Sequence, residues 1–238
     1  MKAILMAAGV GSRLAQNYNY PKSTMKIGGT PLIRRTVSML KENGISVSMV
    51  VGYKKEIIQD LLKDFDVKYY YNPFFRVTNS LGSLWFAKEE FDCKEDIVLA
   101  NADVFWDQGI ADIIKSDKND AVLLGDKSRI DVGDYFFELE GDLIKGYGKE
   151  LPPERRSCEY VGVAKLSENF VRPFLNNMKS LIDKEMYHLW WENALYEYSQ
   201  QYPIHVRDVG GKFWGEIDSI QDYNRICTYF SINGGQKA

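Results

Sequence analysis

The sequence has only three cysteines in 238 residues, at positions 93, 158 and 227. They are too few and too far apart for a disulfide framework or a zinc knuckle, so the reduced cytoplasm is the expected compartment. There are only two histidines, His188 and His205, and no Ser-His-Asp constellation is recognisable around them. No apolar run approaches the ~18–20 residues that span a bilayer. The opening Met1-Lys2-Ala3-Ile4-Leu5-Met6 lacks a long apolar region followed by a cleavage site, so neither a membrane span nor a secretory signal is expected. Charge is balanced, with 30 Lys+Arg against 33 Asp+Glu, which leaves no basic footprint for nucleic acid. Repeats and low complexity are missing too, apart from a polar tail at about 231–238.

What is present is an ordinary globular composition, 45% hydrophobic and 26% charged. The length suits one large α/β domain that buries roughly 70–75% of its unfolded surface. The first half alternates strand and helix. Ala3–Ala7 reads as a doubly buried strand, and Thr30-Pro31 as the cap and first position of a helix stopped by Gly44. Strands are predicted at Ser46–Val51, Lys68–Tyr71 and Ile97–Asn101, and helices at Glu56–Lys63 and Ser80–Phe91. Such alternation argues for a parallel sheet with right-handed crossovers. Beyond about residue 125 the pattern changes to a hairpin, Tyr135–Glu140 and Leu143–Tyr147 around Gly141-Asp142. A strand at Tyr160–Lys165, helices near Ser167–Asn177 and Trp190–Ser199, a strand at Ile204–Asp208 and a helix from about Ser219 complete the chain. The predicted fold is a single α/β domain over 1–230. Its sheet would be Rossmann-like, doubly wound and mostly parallel, and an antiparallel β insertion at about 126–200 would carry acceptor-site elements.

The most informative segment is Ala7-Ala8-Gly9-Val10-Gly11-Ser12-Arg13, directly after the first strand. Two glycines two apart let backbone N–H groups approach an anion, and Arg13 adds a permanent fork for phosphate oxygens. Pro21-Lys22 adds a second cation. Together they suggest a triphosphate cradle. A dinucleotide fingerprint would need a third glycine where Leu14 stands, and the Gly-Lys-Ser/Thr of a Walker A loop is missing. Asp103, just past the fourth strand, and Asp218, in Gly215-Glu216-Ile217-Asp218, are hard oxygen ligands of the kind a triphosphate's metal needs. Each taken singly also suits a cap or a turn.

With Pro21-Lys22 behind it, the glycine-rich segment resembles the signature of the nucleotidyltransferase superfamily, and within it the bacterial phosphocholine and phosphonate cytidylyltransferases. Asn79-Ser80-Leu81-Gly82-Ser83-Leu84, Trp190-Trp191-Glu192-Asn193 and Glu216-Ile217-Asp218-Ser219-Ile220-Gln221-Asp222-Tyr223 extend the similarity from Met1 to about Phe230. The resemblance implies transfer of CMP from CTP to the phosphate or phosphonate of a small amine-bearing acceptor, such as phosphocholine or 2-aminoethylphosphonate, with release of pyrophosphate. It implies Mg²⁺ at Asp103 and Asp218, with Glu216 and Asp107 as neighbouring carboxylates, and Arg13 and Lys22 stabilising charge on the phosphates. Nucleotide contacts fall on Ala8, Gly9, Gly11, Asn79, Ser80, Ser83 and Asn101, of which Asn79 and Ser80 equally suit a capped helix start.

Lys149, Glu159, Gly162, Trp190 and Glu192 fall on the acceptor side. There Trp190 or Trp191, Tyr187 and Glu192 suggest an aromatic box with a carboxylate for an ammonium. Two adjacent tryptophans on a helix cannot both face one pocket, so at least one is expected to be packing. The stretch Asp126–Glu159, with Arg129, Asp131, Asp134 and Arg155-Arg156, departs from the choline type and is closer in style to the phosphonate relatives. The expected partners are CTP and the acceptor, without nucleic acid or membrane, and a homodimer stays open. Two alternatives remain: a nucleotide-sugar pyrophosphorylase, and a non-catalytic nucleotide-binding regulator. The regulator would be marked by loss of Arg13, Lys22, Asp103 or Asp218, and all four are present.

Overall fold

A computed structural model describes residues 1–11 and 18–233. In chain order the elements are β1 (Lys2–Ala7), β2 (Lys26–Ile27), β3 (Thr30–Pro31), α1 (Leu32–Glu42), β4 (Ser46–Val51), α2 (Lys55–Leu61) and β5 (Val67–Tyr71). They are followed by α3 (Ser80–Trp85), β6 (Ile97–Asn101), β7 (Val104–Trp106), α4 (Gln108–Ser116), β8 (Ala121–Asp126), β9 (Phe136–Glu140) and β10 (Leu143–Gly148). The last are β11 (Cys158–Leu166), α5 (Glu168–Asp183), α6 (Asn193–Tyr196), β12 (His205–Asp208), β13 (Trp214–Glu216) and α7 (Ile220–Asn233). Among the described residues no helix is long and apolar enough to cross a membrane.

One nine-stranded sheet organises these elements, in the order β5-β4-β1-β6-β11-β8-β12-β10-β9. The first four strands run parallel, and their central members are apolar almost throughout because helices cover both faces. Ile33, Val37 and Leu40 of α1, Ile58 of α2 and Ile110 and Ile114 of α4 pack on one face. Leu81 and Leu84 of α3, Phe170 and Phe174 of α5 and Leu195 of α6 pack on the other. β11 then runs antiparallel to both β6 and β8, and β9 and β10 are antiparallel as well. The sheet is therefore mixed, which corrects the expectation of a mostly parallel one. The reason is connectivity: β9–β10 is a hairpin, and β11 follows it without the helical crossover that a parallel neighbour requires. β9 pairs with β11 as well as with β10, so the strands of the second half close on themselves.

Local chemistry explains most element boundaries. α1 ends in a Schellman turn. Gly44 adopts φ +71°, its N–H donates to Lys41 C=O (2.9 Å), and Ile45 N–H donates to Leu40 C=O (2.9 Å). Four expectations need correction. Thr30 and Pro31 pair with Ile27 and Lys26, so Pro31 precedes the helix and Thr30 is a strand residue. The Ser80–Phe91 helix is broken: α3 stops at Trp85, and Lys88–Phe91 tightens into a 3₁₀ turn that sets Glu90 3.0 Å from the Lys2 ammonium. Trp190 and Trp191 precede α6, because their N–H groups donate to Asn193 Oδ1 (3.1 Å) and Ser80 Oγ (3.0 Å) instead of to a helical ladder. α7 continues to Asn233, three residues into the expected tail.

The centre of the sheet has no spare room. A Cβ on Gly125 would stand 2.7 Å from both Cys158 Sγ and Val206 Cγ1, on the two strands that flank β8. Gly125→Ala is expected to destabilise the fold by about 1–3 kcal/mol through overpacking, read as a lower urea midpoint. An unchanged midpoint would mean that both neighbours can give way.

Candidate active site

A cavity of about 290 Å³ opens where β1 and β6 end. The chain turns from β1 towards β4 on one side, while β6 lies on the other. This is the crevice beyond the carboxyl ends of parallel strands where α/β sheets bind ligands. Ala8, Gly9 and Gly11 form part of its wall. Gly11 has φ +68°, and a Cβ there would lie 2.8 Å from Lys22 Cγ. The bare glycine thus lets the Lys22 stem lie against the loop. Arg13 falls outside the described residues.

The Lys22 ammonium points into a group of acids. It lies 3.4 Å from Asp103 Oδ2 and also bonds Asp218 Oδ1. Glu216 completes the group, and carboxylate oxygens of Asp103, Glu216 and Asp218 lie within 4.8 Å of one another. The backbone explains how residues so distant in sequence meet. β7 and β13 pair antiparallel with Glu216 opposite Val104, and Ile217 N–H donates to Asp103 C=O (3.0 Å). Burial, and then the like charges of Asp103 and Asp218, push the Glu216 carboxyl well above the usual range. Burial also raises Asp103, against the pull of Lys22. For Lys22, burial opposes the charge, but Asp103, Asp218 and Glu216 outweigh it and raise its pKa. Three hard oxygen donors with crowded negative charge fit a divalent cation such as Mg²⁺. The expected neighbour Asp107 is elsewhere: it caps α4, accepting from Gly109 N–H at 3.0 Å.

Asn79, Ser80, Ser83 and Asn101 all reach the cavity wall, and each also does structural work. Asn79 Oδ1 accepts from Ser80 N–H (2.8 Å), as a capped helix start requires. Ser83 Oγ donates to Asn79 C=O (3.1 Å) and accepts from the buried Asn72 amide (2.9 Å). Trp191 is fully buried, and its indole N–H donates to Asn101 Oδ1 at 2.9 Å. That bond turns the Asn101 amide so that its Nδ2 donates to Glu192 Oε1 at 3.2 Å. Burial pushes the Glu192 carboxyl up to about 7, despite the bond from Asn101.

The opposite wall is aromatic. Trp190, Tyr135, Tyr160 and Tyr196 line it together with Lys149, Asp134 and Glu192. Tyr135 meets Trp190 edge-on at 5.9 Å and stacks on Tyr196 at 5.4 Å. The Lys149 ammonium lies 5.2 Å from the Trp190 ring centre and 3.9 Å from Asp134 Oδ2. Of the residues expected on the acceptor side, Lys149, Trp190 and Glu192 converge here. Glu159, Gly162 and Tyr187 do not line this cavity. Glu159 is buried behind the wall and bonded by Arg129. Gly162 abuts Val104, and Tyr187 contributes its carbonyl to Asn79 N–H (3.0 Å). Sequence reasoning missed Tyr135, Tyr160 and Tyr196. Their aromatic character was visible, but Tyr135 precedes β9, Tyr160 lies on β11 and Tyr196 ends α6, so only the tertiary fold brings them to one wall.

Comparison with known proteins follows the same lines. Residues 3–129 match the family model of the MobA-like NTP transferase domain. The chain is 27% identical over 233 residues to choline-phosphate cytidylyltransferase of Streptococcus pneumoniae, covering 95% of this chain and 96% of that one. It is 24% identical over 234 residues to 2-aminoethylphosphonate cytidylyltransferase of Lancefieldella rimae, with coverage of 92% and 89%. The solved structure of CTP:phosphocholine cytidylyltransferase from Streptococcus pneumoniae superposes with a TM-score of 0.79 at 23% identity, covering 96% of this chain and 98% of that one. With the glycine loop, the lysine and the carboxylates assembled at one sheet edge, the chain is a nucleotidyltransferase and belongs to the MobA-like NTP transferase domain family.

Proposed function

We propose that this enzyme transfers CMP from CTP to the phosphate or phosphonate of a small amine-bearing acceptor and releases pyrophosphate. The observation that carries the reading is the composition of the cavity beyond the carboxyl ends of β1 and β6. One end holds Lys22 among Asp103, Glu216 and Asp218, and the other is an aromatic wall with Glu192. The names of its relatives, which act on phosphocholine and 2-aminoethylphosphonate, support the same substrate class.

The chemistry asks little covalent help of the chain. An acceptor phosphate or phosphonate is already ionised near neutrality, so no general base has to create the nucleophile. His188 and His205 are both absent from the cavity wall. The glycine loop and Lys22 hold the triphosphate, and the ammonium offsets charge that builds on the phosphoryl oxygens. Asp103, Glu216 and Asp218 would hold a divalent cation, which supplies neutralisation of the triphosphate and Lewis acidity at those oxygens. Lys149 is placed to meet the acceptor's anionic end, while Glu192 and the Trp190 ring suit its amine. The three free thiols, Cys93, Cys158 and Cys227, agree with a reducing cytoplasm.

Pyrophosphate release with Mg²⁺ tests the reading, crossing four nucleoside triphosphates with phosphocholine, phosphoethanolamine, 2-aminoethylphosphonate, a phosphorylated amide and glucose 1-phosphate. Turnover is expected with CTP and an amine-bearing acceptor; turnover only with the sugar phosphate would sink it. Lys22→Ala and Asp103→Asn should each lower kcat/KM by roughly 10²–10³-fold, whereas wild-type kcat in Lys22→Ala would remove the lysine from the reaction. Glu192 gives a pH signature. With its pKa pushed up to about 7, the carboxylate forms as pH rises from 6 to 8 and its charged fraction grows roughly tenfold. The acceptor KM should fall over that interval in the wild type relative to Glu192→Gln. Parallel profiles for the two proteins would separate Glu192 from amine recognition.

A further inference from the structure

The segment between β8 and β9, residues 127–135, has almost no regular structure, yet it delivers Asp134 and Tyr135 to the cavity wall. Backbone that crosses a site without a ladder must be fixed by other bonds, and here they converge on one buried acid. Glu159 lies on β11 with 6% of its surface exposed. It accepts from Arg129 Nε through one carboxylate oxygen and from the Asp134 N–H through the other, at 3.1 Å. Between those two anchor points stands Gly133, where any Cβ would run into the Glu159 carboxylate. The carboxylate therefore fills the space inside the loop.

The same clamp reaches the carboxylate cluster. The Arg129 guanidinium lies 5.5 Å from the centre of the Trp214 ring. The Trp214 indole N–H donates to the buried Asp126 at 2.8 Å, and the other Asp126 oxygen accepts from Ser128 N–H (2.9 Å) at the loop's start. Trp214 begins β13, the strand that ends in Glu216.

We propose that Glu159 is a positioning residue for the acceptor: through Arg129 and the Asp134 amide it sets the wall formed by Asp134 and Tyr135, without itself touching substrate. The role extends the acceptor-site reading given above and rests on it. A residue in such a position changes how well one substrate is held and leaves the other's site intact. Burial alone would push the Glu159 carboxyl up, and Arg129 is the main group that counters it, so removal of Arg129 leaves Glu159 a buried acid without its mate.

The test combines amide hydrogen exchange with steady-state kinetics on Glu159→Gln, Arg129→Met and Arg129→Lys in the full chain. Glu159→Gln and Arg129→Met are expected to speed exchange across 127–135 about tenfold, with the β1, β4 and β6 amides unchanged. They should also raise the acceptor KM about tenfold with the CTP KM within twofold, and Arg129→Lys should recover part of both effects. Unchanged exchange in 127–135 would overturn the clamp. Faster exchange with the two KM values rising together, or with neither moving, would overturn its role towards the acceptor. If no acceptor on the panel is turned over, the proposed function fails, while the exchange data still decide whether Glu159 holds the loop. Should Arg129→Met prove unfolded by circular dichroism, Glu159→Gln, which keeps size and one acceptor oxygen, carries the test.

Discussion

Asp103, Glu216 and Asp218 converge on the floor of one cavity, with the Lys22 ammonium among them. Bringing three acids together is costly, since like charges repel and burial disfavours the charged forms of Asp103 and Glu216. A short antiparallel ribbon enforces the convergence: three residue pairs join β7 to β13 and place Glu216 beside the residue that follows Asp103. Everything else at the nucleotide end accommodates that constraint. Lys22 enters because Gly11 has no side chain to keep it out, and the loop before Lys22 is anchored by Tyr53, whose hydroxyl donates to Asn19 Oδ1 at 2.7 Å. The site is complete only when the C-terminal quarter of the chain has docked on the N-terminal half.

The aromatic end of the cavity obeys a different logic. Its wall consists of stacked rings, and the charged groups on it are few and paired or hydrogen-bonded. Trp191 orients Asn101, Asn101 orients Glu192, and Glu192 is left as a carboxyl that titrates near neutrality. The tyrosines pack against one another, with Tyr196 in contact with Tyr135, Tyr147 and Phe137, so the wall is one continuous cluster of rings.

How legible these features were in the sequence depends on the range over which each is determined. β4 and β6 match their observed bounds, and β1 and α1 nearly so, because local periodicity and a Schellman turn fix them. The helix Gln108–Ser116 and the strand Ala121–Asp126 were passed over, although the latter shows the same doubly buried run as β1. Gly9, Gly11, Lys22 and Asp103 could be picked out because the glycine loop and the strand end are short-range signals, whereas the metal role of Asp218 came from the family resemblance. Glu216 could only be suggested as a neighbour, since its burial depends on a strand pairing across more than a hundred residues. Glu159 was misplaced for a local reason. The β11 register shifts between Tyr160 and Ala164, with Gly162 at φ +83° between them. In a strand with such an irregularity, simple alternation no longer tells which of Glu159 and Tyr160 faces the cavity.

The antiparallel strand β11 stands between the two halves of the sheet, with β6 and β9 following one another along one edge and β8 along the other. The hairpin that supports the aromatic wall touches β12 through the single pair Leu143–His205 and β11 through two pairs, and it has no contact with β1, β4 or β5 in the sheet. Mutations in the hairpin can therefore alter the wall while the register of the parallel strands stays as it is. An engineer wishing to redirect such an enzyme has a natural cassette, bounded by residues 127 and 157, whose two ends adjoin the neighbouring strands β8 and β11.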